Sequence, residues 1–472
     1  DLYYVIKNNF SPRLKGTLGK TLLGLNYIGI YLALKHIIPT QNPVPQPPSY
    51  DYLTIGLQAT NHDMNWQVGF FDRTNHNDDK YFLMTNLWTN SPKQIQIRVT
   101  PPVQGYTNYR FRNIEPQNNF DITFKIETTP TLSFPAGEGY LFQVAPVVKY
   151  GGKLVYNETV LNGTTLYDDM TIENGATLTI NGTYTAKANI TVKSGGKIVA
   201  GTNGKIIFDP GKKIIVKGSA QINGTASDRL SLEFSTSTAE GIVVKPGGAL
   251  YLSYADVKNA QIGINAEQGS GQINISNVNL TACSQYGIAL IGLQGDGSQT
   301  PPPPTVYKCN ITGSLTGISA ANYNEILIRE NTLSGSGISI ASVTSAFIQG
   351  NIIDGGSSSP FAGIFMNNSS GGYIRCNLVT NCLNGIRLGN SSPDIGDNTL
   401  QHNKYHGLYI GYGSIPNMLG RIIRGLPYTW YGASGYNRIR ENGMGITFGE
   451  PPDNDGSEIY FSSSSALLGS EK

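Results

Sequence analysis

From residue 150 to residue 461, apolar residues recur at every second position in short runs, and the runs are separated by turns rich in Gly, Asn, Ser and Thr. That period puts alternate side chains on opposite faces of an extended chain, so it predicts short β-strands throughout. The first units read strand–turn–strand: Met170-Thr-Ile-Glu-Asn-Gly-Ala-Thr-Leu-Thr-Ile180, Ile190 to Val199, Ile206 to Val216 and Val243 to Leu252. Their turns start at Glu173, Lys193, Asp209 and Lys245, in steps of 20, 16 and 36 residues. A second pattern then takes over. An Asn leads alternating apolar residues at Asn279, Asn310, Asn331, Asn351, Asn377, Asn398 and Asn437, and a Gly-apolar pair follows at Gly287, Gly317, Gly337, Gly363, Gly385, Gly407 and Gly445. The Gly steps are 30, 20, 26, 22, 22 and 38, and the long ones coincide with insertions at 292–305 and 411–435.

No single unit is long enough to bury its own apolar face; stacking on its neighbours does that. A rung of about 20–25 residues can coil so that each strand pairs in parallel with the one ~4.8 Å above it. Gly then serves positions of positive φ or close approach at the corners. Asn tolerates left-handed turns, and it can bond the Asn of the next coil in a ladder, expected at Asn310, Asn331, Asn351, Asn377, Asn398 and Asn437.

Before residue 150 the pattern differs. Strands are expected at Leu53–Leu57, Tyr81–Met84, Gln94–Val99, Asp121–Ile126 and Tyr140–Val144, with Pro- and Gly-rich breaks between them, which reads as an antiparallel β-sandwich over 50–146. Pro39 to Pro48 carries five Pro in ten residues and reads as a stiff linker over 39–49. Residues 1–38 read as a helical segment. Its apolar stretch Thr21–Ile38 is interrupted by Asn26, Lys35 and His36 and is short for a spanning helix of ~20 apolar residues, so a helix packed on its neighbour is expected rather than a transmembrane span. The fold class is therefore mainly β: a solenoid over 150–472, preceded by a β-sandwich and a short helical N-terminal segment. The first residue is Asp1 and the repeats stop before Lys472 without a cap, so further sequence, a removed leader, a neighbouring subunit or a proteolytic end is expected.

Composition sharpens this picture. Charged residues are 14% of 472, and 34 Lys and Arg nearly balance 32 Asp and Glu, which argues against a partner held by phosphate neutralisation, so no nucleic acid is expected. Four cysteines, Cys283, Cys309, Cys376 and Cys382, are too few for a disulfide scaffold and read as buried thiols, with Cys309 and Cys376 at one repeat position. Asn-Xaa-Ser/Thr triplets, such as those at Asn157 and Asn223, recur often in a chain this rich in Asn and Thr.

The Asn and Gly repeats resemble the right-handed parallel β-helix of the pectin-lyase-like superfamily over about 150–461. That resemblance implies fold but no particular activity. The hairpin Pro135-Ala-Gly-Glu-Gly139 with Tyr140–Val144, and Tyr81–Asn86, are similar to the C-terminal β-domain of glycoside hydrolases. This second likeness carries no catalytic residue into the chain.

Enzymes on a solenoid of this kind need carboxylates converging on one exposed face, paired for hydrolysis or clustered around a cation. Between Asn277 and Ile410 the carboxylates are Asp296, Glu325, Glu330, Asp354, Asp394 and Asp397, with no adjacent pair. The best grouping is Asp394 and Asp397 with Arg387 and His406. Tyr405-His406-Gly407 looks like the His-Gly signature of polygalacturonases, but the accompanying Asp-Asp and Arg-Ile-Lys elements are missing at matching positions, and His406 reads as a turn residue. No metal site is expected; Ca²⁺ would suit the fold but is not indicated. The aromatic stretch Tyr409, Tyr412, Tyr428, Trp430 and Tyr431 reads either as a platform for sugar stacking or as a loop folded back on the solenoid.

The reading that fits best is a secreted or cell-surface, bacterial β-solenoid with a structural, assembly or glycan-binding role and no catalytic site of its own. Polysaccharides or cell-surface glycans are its expected ligands, and self-association is expected. The alternatives are a polysaccharide-active lyase or glycoside hydrolase, or part of one, and a phage-tailspike-like protein.

Overall fold

A computed structural model describes residues 54–58, 66–73, 76–87, 90–100, 105–115, 120–235, 239–293, 302–411, 413–418, 437–440, 442 and 459–461. The expected helical segment over 1–38 and the linker over 39–49 lie outside the described residues. Among the described residues no helix is long and apolar enough to cross a membrane. The chain divides into two units, residues 1–158 with 166–171, and residues 159–165 with 172–472.

The first unit contains two antiparallel sheets. One pairs Thr54–Gln58, Lys93–Thr100 and Thr131–Phe134; the other orders Trp66–Arg73, His76–Asn86, Gly139–Pro146, Tyr109–Asn113 and Asp121–Phe124. Alternation along Lys93–Thr100 turns Ile95, Ile97 and Val99 inward, where they join Phe82, Phe111, Phe134 and Phe142 in one buried cluster. Phe82 and Phe142 stack with ring centroids 5.0 Å apart. Buried Glu158 accepts hydrogen bonds from the Thr107 and Asn108 amides at 2.8 Å each, so its charge is met by fixed donors.

The second unit is a parallel solenoid. Each coil contributes one strand to each of three sheets, called here I, II and III in chain order. Eleven described strands stack in sheet I from Ile190–Lys193 to Ile459–Phe461, in sheet II from Thr177–Ile180 to Asn417–Met418, and in sheet III from Thr183–Ala186 to Arg438–Arg440. Registry is kept from coil to coil: Ile264 pairs with Ile288, Ile288 with Ile318, Ile318 with Ile338 and Ile338 with Ile364, all fully or almost fully buried. In sheet III, Phe208 stacks on Phe234 at 4.8 Å with an angle of 11°, the rise of one coil.

The recurring glycines of sheet I answer to space. A Cβ on Gly263 would sit 2.7 Å from the Gly287 carbonyl oxygen, and one on Gly287 would sit 2.6 Å from that of Gly317, so the next coil passes where a side chain would stand. Positive φ falls elsewhere. In seven successive coils the residue ahead of the sheet III strand is left-handed, and it is Tyr254, Asn277, Lys308, Glu330, Gly350, Cys376 and Asp397 in turn.

The Asn ladder is present and buried. The backbone and side-chain N–H of Asn331 donate to Asn351 Oδ1 at 3.0 and 2.9 Å; Asn351 donates likewise to Asn377, Asn377 to Asn398, and Asn398 to Asn437. Asn310 does not belong to it. Its side chain is exposed in sheet III, where it pairs with Thr332, and the ladder position in its coil is Cys309, whose amide donates to Asn331 Oδ1 at 2.9 Å. Cys376 is likewise displaced: it occupies the left-handed position and is exposed, while Cys283, Cys309 and Cys382 are buried. The reason is register, since Cys309 aligns with Asn377 rather than with Cys376. The Asp209 turn also belongs to a different corner. It joins sheets III and I, whereas Glu173, Lys193 and Lys245 leave sheet I, and this mixture of corners produced the irregular steps.

Two further ladders line the other corners. Cys382 N–H donates to Asn403 Oδ1 at 3.1 Å, and Asn403 to Asn442. Between sheets I and II, Val343, Ser369 and Ser391 donate through their amides to the hydroxyls of Ser369, Ser391 and Ser414 at 3.1–3.2 Å.

Candidate functional site

The four residues grouped as catalytic candidates separate onto different parts of the coil. Asp394 opens a sheet II strand, accepts from Asn417 Nδ2 at 3.1 Å and lies 3.8 Å from Arg375 of the preceding coil. Asp397 occupies the left-handed corner position before sheet III. Arg387 and His406 are both on sheet I, one coil apart. His406 is the first residue of the strand His406–Ile410 rather than a turn residue. No carboxylate is paired with Arg387 among the described residues.

A different constellation forms around Arg387. In sheet I the inward positions are apolar, so the register brings Phe365, Arg387 and Tyr409 into one outward column in three successive coils. The Arg387 guanidinium lies 4.2 Å from the centroid of the Tyr409 ring and 4.3 Å from that of Phe361. It is held between two aromatic faces, an arrangement that attracts a cation through the ring quadrupoles. Phe361 is 53% exposed and meets Phe365 edge-on at 6.0 Å. Its backbone is pinned to the next coil, because Asn384 Nδ2 donates to the Phe361 carbonyl at 2.9 Å and the Leu383 amide donates to Pro360 at 2.9 Å. His406 stands 5.6 Å from Tyr409, and Lys404 lies over the Tyr405 ring.

Tyr409 therefore belongs to a strand, not to the aromatic insertion; Tyr412, Tyr428, Trp430 and Tyr431 lie outside the described residues. Phe361 was not visible as a site residue. Its signal is positional: it precedes Gly363, the glycine of the preceding coil, and so flanks the column that Arg387 enters.

Elsewhere the outer surface of the solenoid is tied by ion pairs. Lys193 meets Glu173 at 2.8 Å, Lys213 meets Glu240 at 2.6 Å, Arg229 meets Asp256 at 2.8 Å, and Lys245 meets Glu267. Partial burial would raise the pKa of Glu240, but hydrogen bonds from Lys213 and Asn265, with the charges of Lys213 and Lys245, outweigh it and hold the carboxyl below its usual value. Burial pushes the thiols of Cys309 and Cys382 up to about 12 and that of Cys283 to about 11, so all three are inert at neutral pH.

Residues 291–447 match the family model described as "Right handed beta helix region". This part of the chain is a right-handed β-helix. The match spans the late coils of the β-helix, including the Asn ladder and the Arg387 column. Among solved structures, the chain is similar to the catalytic domain of a GH87 alpha-1,3-glucanase in complex with nigerose, at 10% identity and a TM-score of 0.22, over 85% of this chain and 92% of that one. A variant of that domain matches at 11% identity and a TM-score of 0.21, with the same coverage. Scores this low do not superimpose the two molecules. No curated protein matches.

Proposed function

We propose that this chain is a secreted or surface-displayed bacterial β-helix that binds glycan and does not cleave it. The observation that carries this reading is the outward column of Phe365, Arg387 and Tyr409 on sheet I with Phe361 flanking it, where aromatic rings and a cation stand together. Apolar ring faces are what sugars stack on, and a cation beside them adds polar anchoring. Hydrolysis would need two carboxyls across one bond. Asp394 is instead occupied by Asn417 and faces Arg375, on a different sheet from Arg387 and His406.

The test is a glycan array probed with the labelled chain, paired with a reducing-end assay on every polysaccharide that binds. Binding without new reducing ends is the expected result. Release of reducing ends that is abolished by Asp394→Asn together with Asp397→Asn would move the protein to the enzymes.

A further inference from the structure

Arg387 is an unusual arginine for this surface. In the earlier coils Arg229 answers Asp256, and Arg375 lies near Asp394. Among the described residues the Arg387 side chain makes no hydrogen bond or ion pair, and its partners are the rings of Phe361 and Tyr409. A guanidinium carries five N–H donors along the edge of a rigid fork, and at Arg387 none of them meets an acceptor among the described residues. Such an edge fits a two-oxygen acceptor. Asp354, on sheet III, is occupied by Asn381 Nδ2 at 2.8 Å and the Gly356 amide at 3.0 Å, and Lys404 adds positive charge in the same run of coils.

We propose that Arg387, between Phe361 and Tyr409, is a binding site for an anionic group of a glycan, a carboxylate or a sulfate ester, with the exposed Phe361 ring receiving the sugar beside it. This rests on the glycan-binding reading and adds the charge of the ligand and its anchor. The fork takes the two anionic oxygens, and the rings hold it in place, so little side-chain freedom is lost on binding.

The test is titration calorimetry of the full chain with three hexasaccharides: alginate for carboxylate, κ-carrageenan for sulfate and cellohexaose as the neutral control. At least one anionic probe should bind more tightly than cellohexaose, and its affinity should fall as NaCl is raised. Arg387→Met should weaken that binding about tenfold or more, and Arg387→Lys, which keeps charge but loses the fork, should fall between. Far-UV circular dichroism checks that these outward substitutions leave the coils intact. Binding of alginate alone assigns a carboxylate, and binding of carrageenan alone assigns a sulfate. Cellohexaose bound equally well, or anionic binding indifferent to Arg387→Met, overturns the site while glycan binding stands. Failure of all three probes and of the whole array overturns both.

Discussion

Between residues 173 and 267 successive coils are tied on the outside, by ion pairs; between residues 331 and 442 they are tied on the inside, by amides and hydroxyls. The ion pairs are 21–47% exposed at the ends of the Lys193–Glu173 bridge and similarly open elsewhere, so each contributes about 0.2–1 kcal/mol and weakens with salt. The amides of Asn331, Asn351, Asn377 and Asn398 are buried, and the oxygens of Asn351, Asn377 and Asn398 each accept twice. Their gain is modest while satisfied, but losing one strands several buried donors at once. One fold thus uses a tolerant tie in its early coils and an intolerant one in its late coils, where the Arg387 column must be held still.

The contrast breaks most severely at Asn377. Asn377→Ala removes the acceptor of two Asn351 donors and the donor to the Ile348 carbonyl, and should cost on the order of 3 kcal/mol in denaturant unfolding. Loss of amide protection in the flanking coils is the accompanying signature; a cost under ~1 kcal/mol would show that the ladder is not what ties them. In the opposite direction, Cys309→Asn should extend the ladder by one rung. The new amide would reach Asn331 Oδ1 and the Ile275 carbonyl, which the thiol meets only at 3.9 Å, and a gain of about 1 kcal/mol is expected in the same measurement.

The outer ties are tested by acid and by salt. Because the Glu240 pKa is lowered on folding, its contribution is present above the unfolded value near 4.5 and is lost as pH falls through the folded value. Glu240→Gln should therefore flatten the acid limb of a melting-temperature profile below about pH 4.5. The smallest effect belongs to Glu173→Gln, about 0.5 kcal/mol at low salt and less at high salt. A larger loss there would erase the distinction between the two halves.

Much of this architecture was legible from the chain. The Asn and Gly columns recur because each coil meets the same neighbours, so Asn331 to Asn437 and Gly287 to Gly407 stood out by type and spacing. Register was harder wherever an identity changed within a column. Cys309 hid the first rung, and Asn310 beside it supplied a false one. The Ser369, Ser391 and Ser414 ladder went unnoticed because serine is common in every turn of this sequence. The left-handed corner position was invisible, since seven different residue types fill it. The Arg387 site required the register first: Tyr409 lies 22 residues away and Phe361 26, and only stacking brings the three together.

The ladder also has a direction. Each Asn donates to the Asn of the following coil, and its second amide hydrogen reaches back to a carbonyl of the preceding one, as Asn351 does with Ile328. A coil emerging from the ribosome therefore presents donors whose acceptor has not yet been made. It arrives some twenty residues later, with Asn351 for Asn331, so assembly closes like a one-way zipper behind the growing end. A pause or a cut between two rungs would leave the buried side-chain donors of the earlier coil without their acceptor, whereas the same interruption among the ion-paired coils would part only half-exposed charges beside the backbone ladder common to both regions.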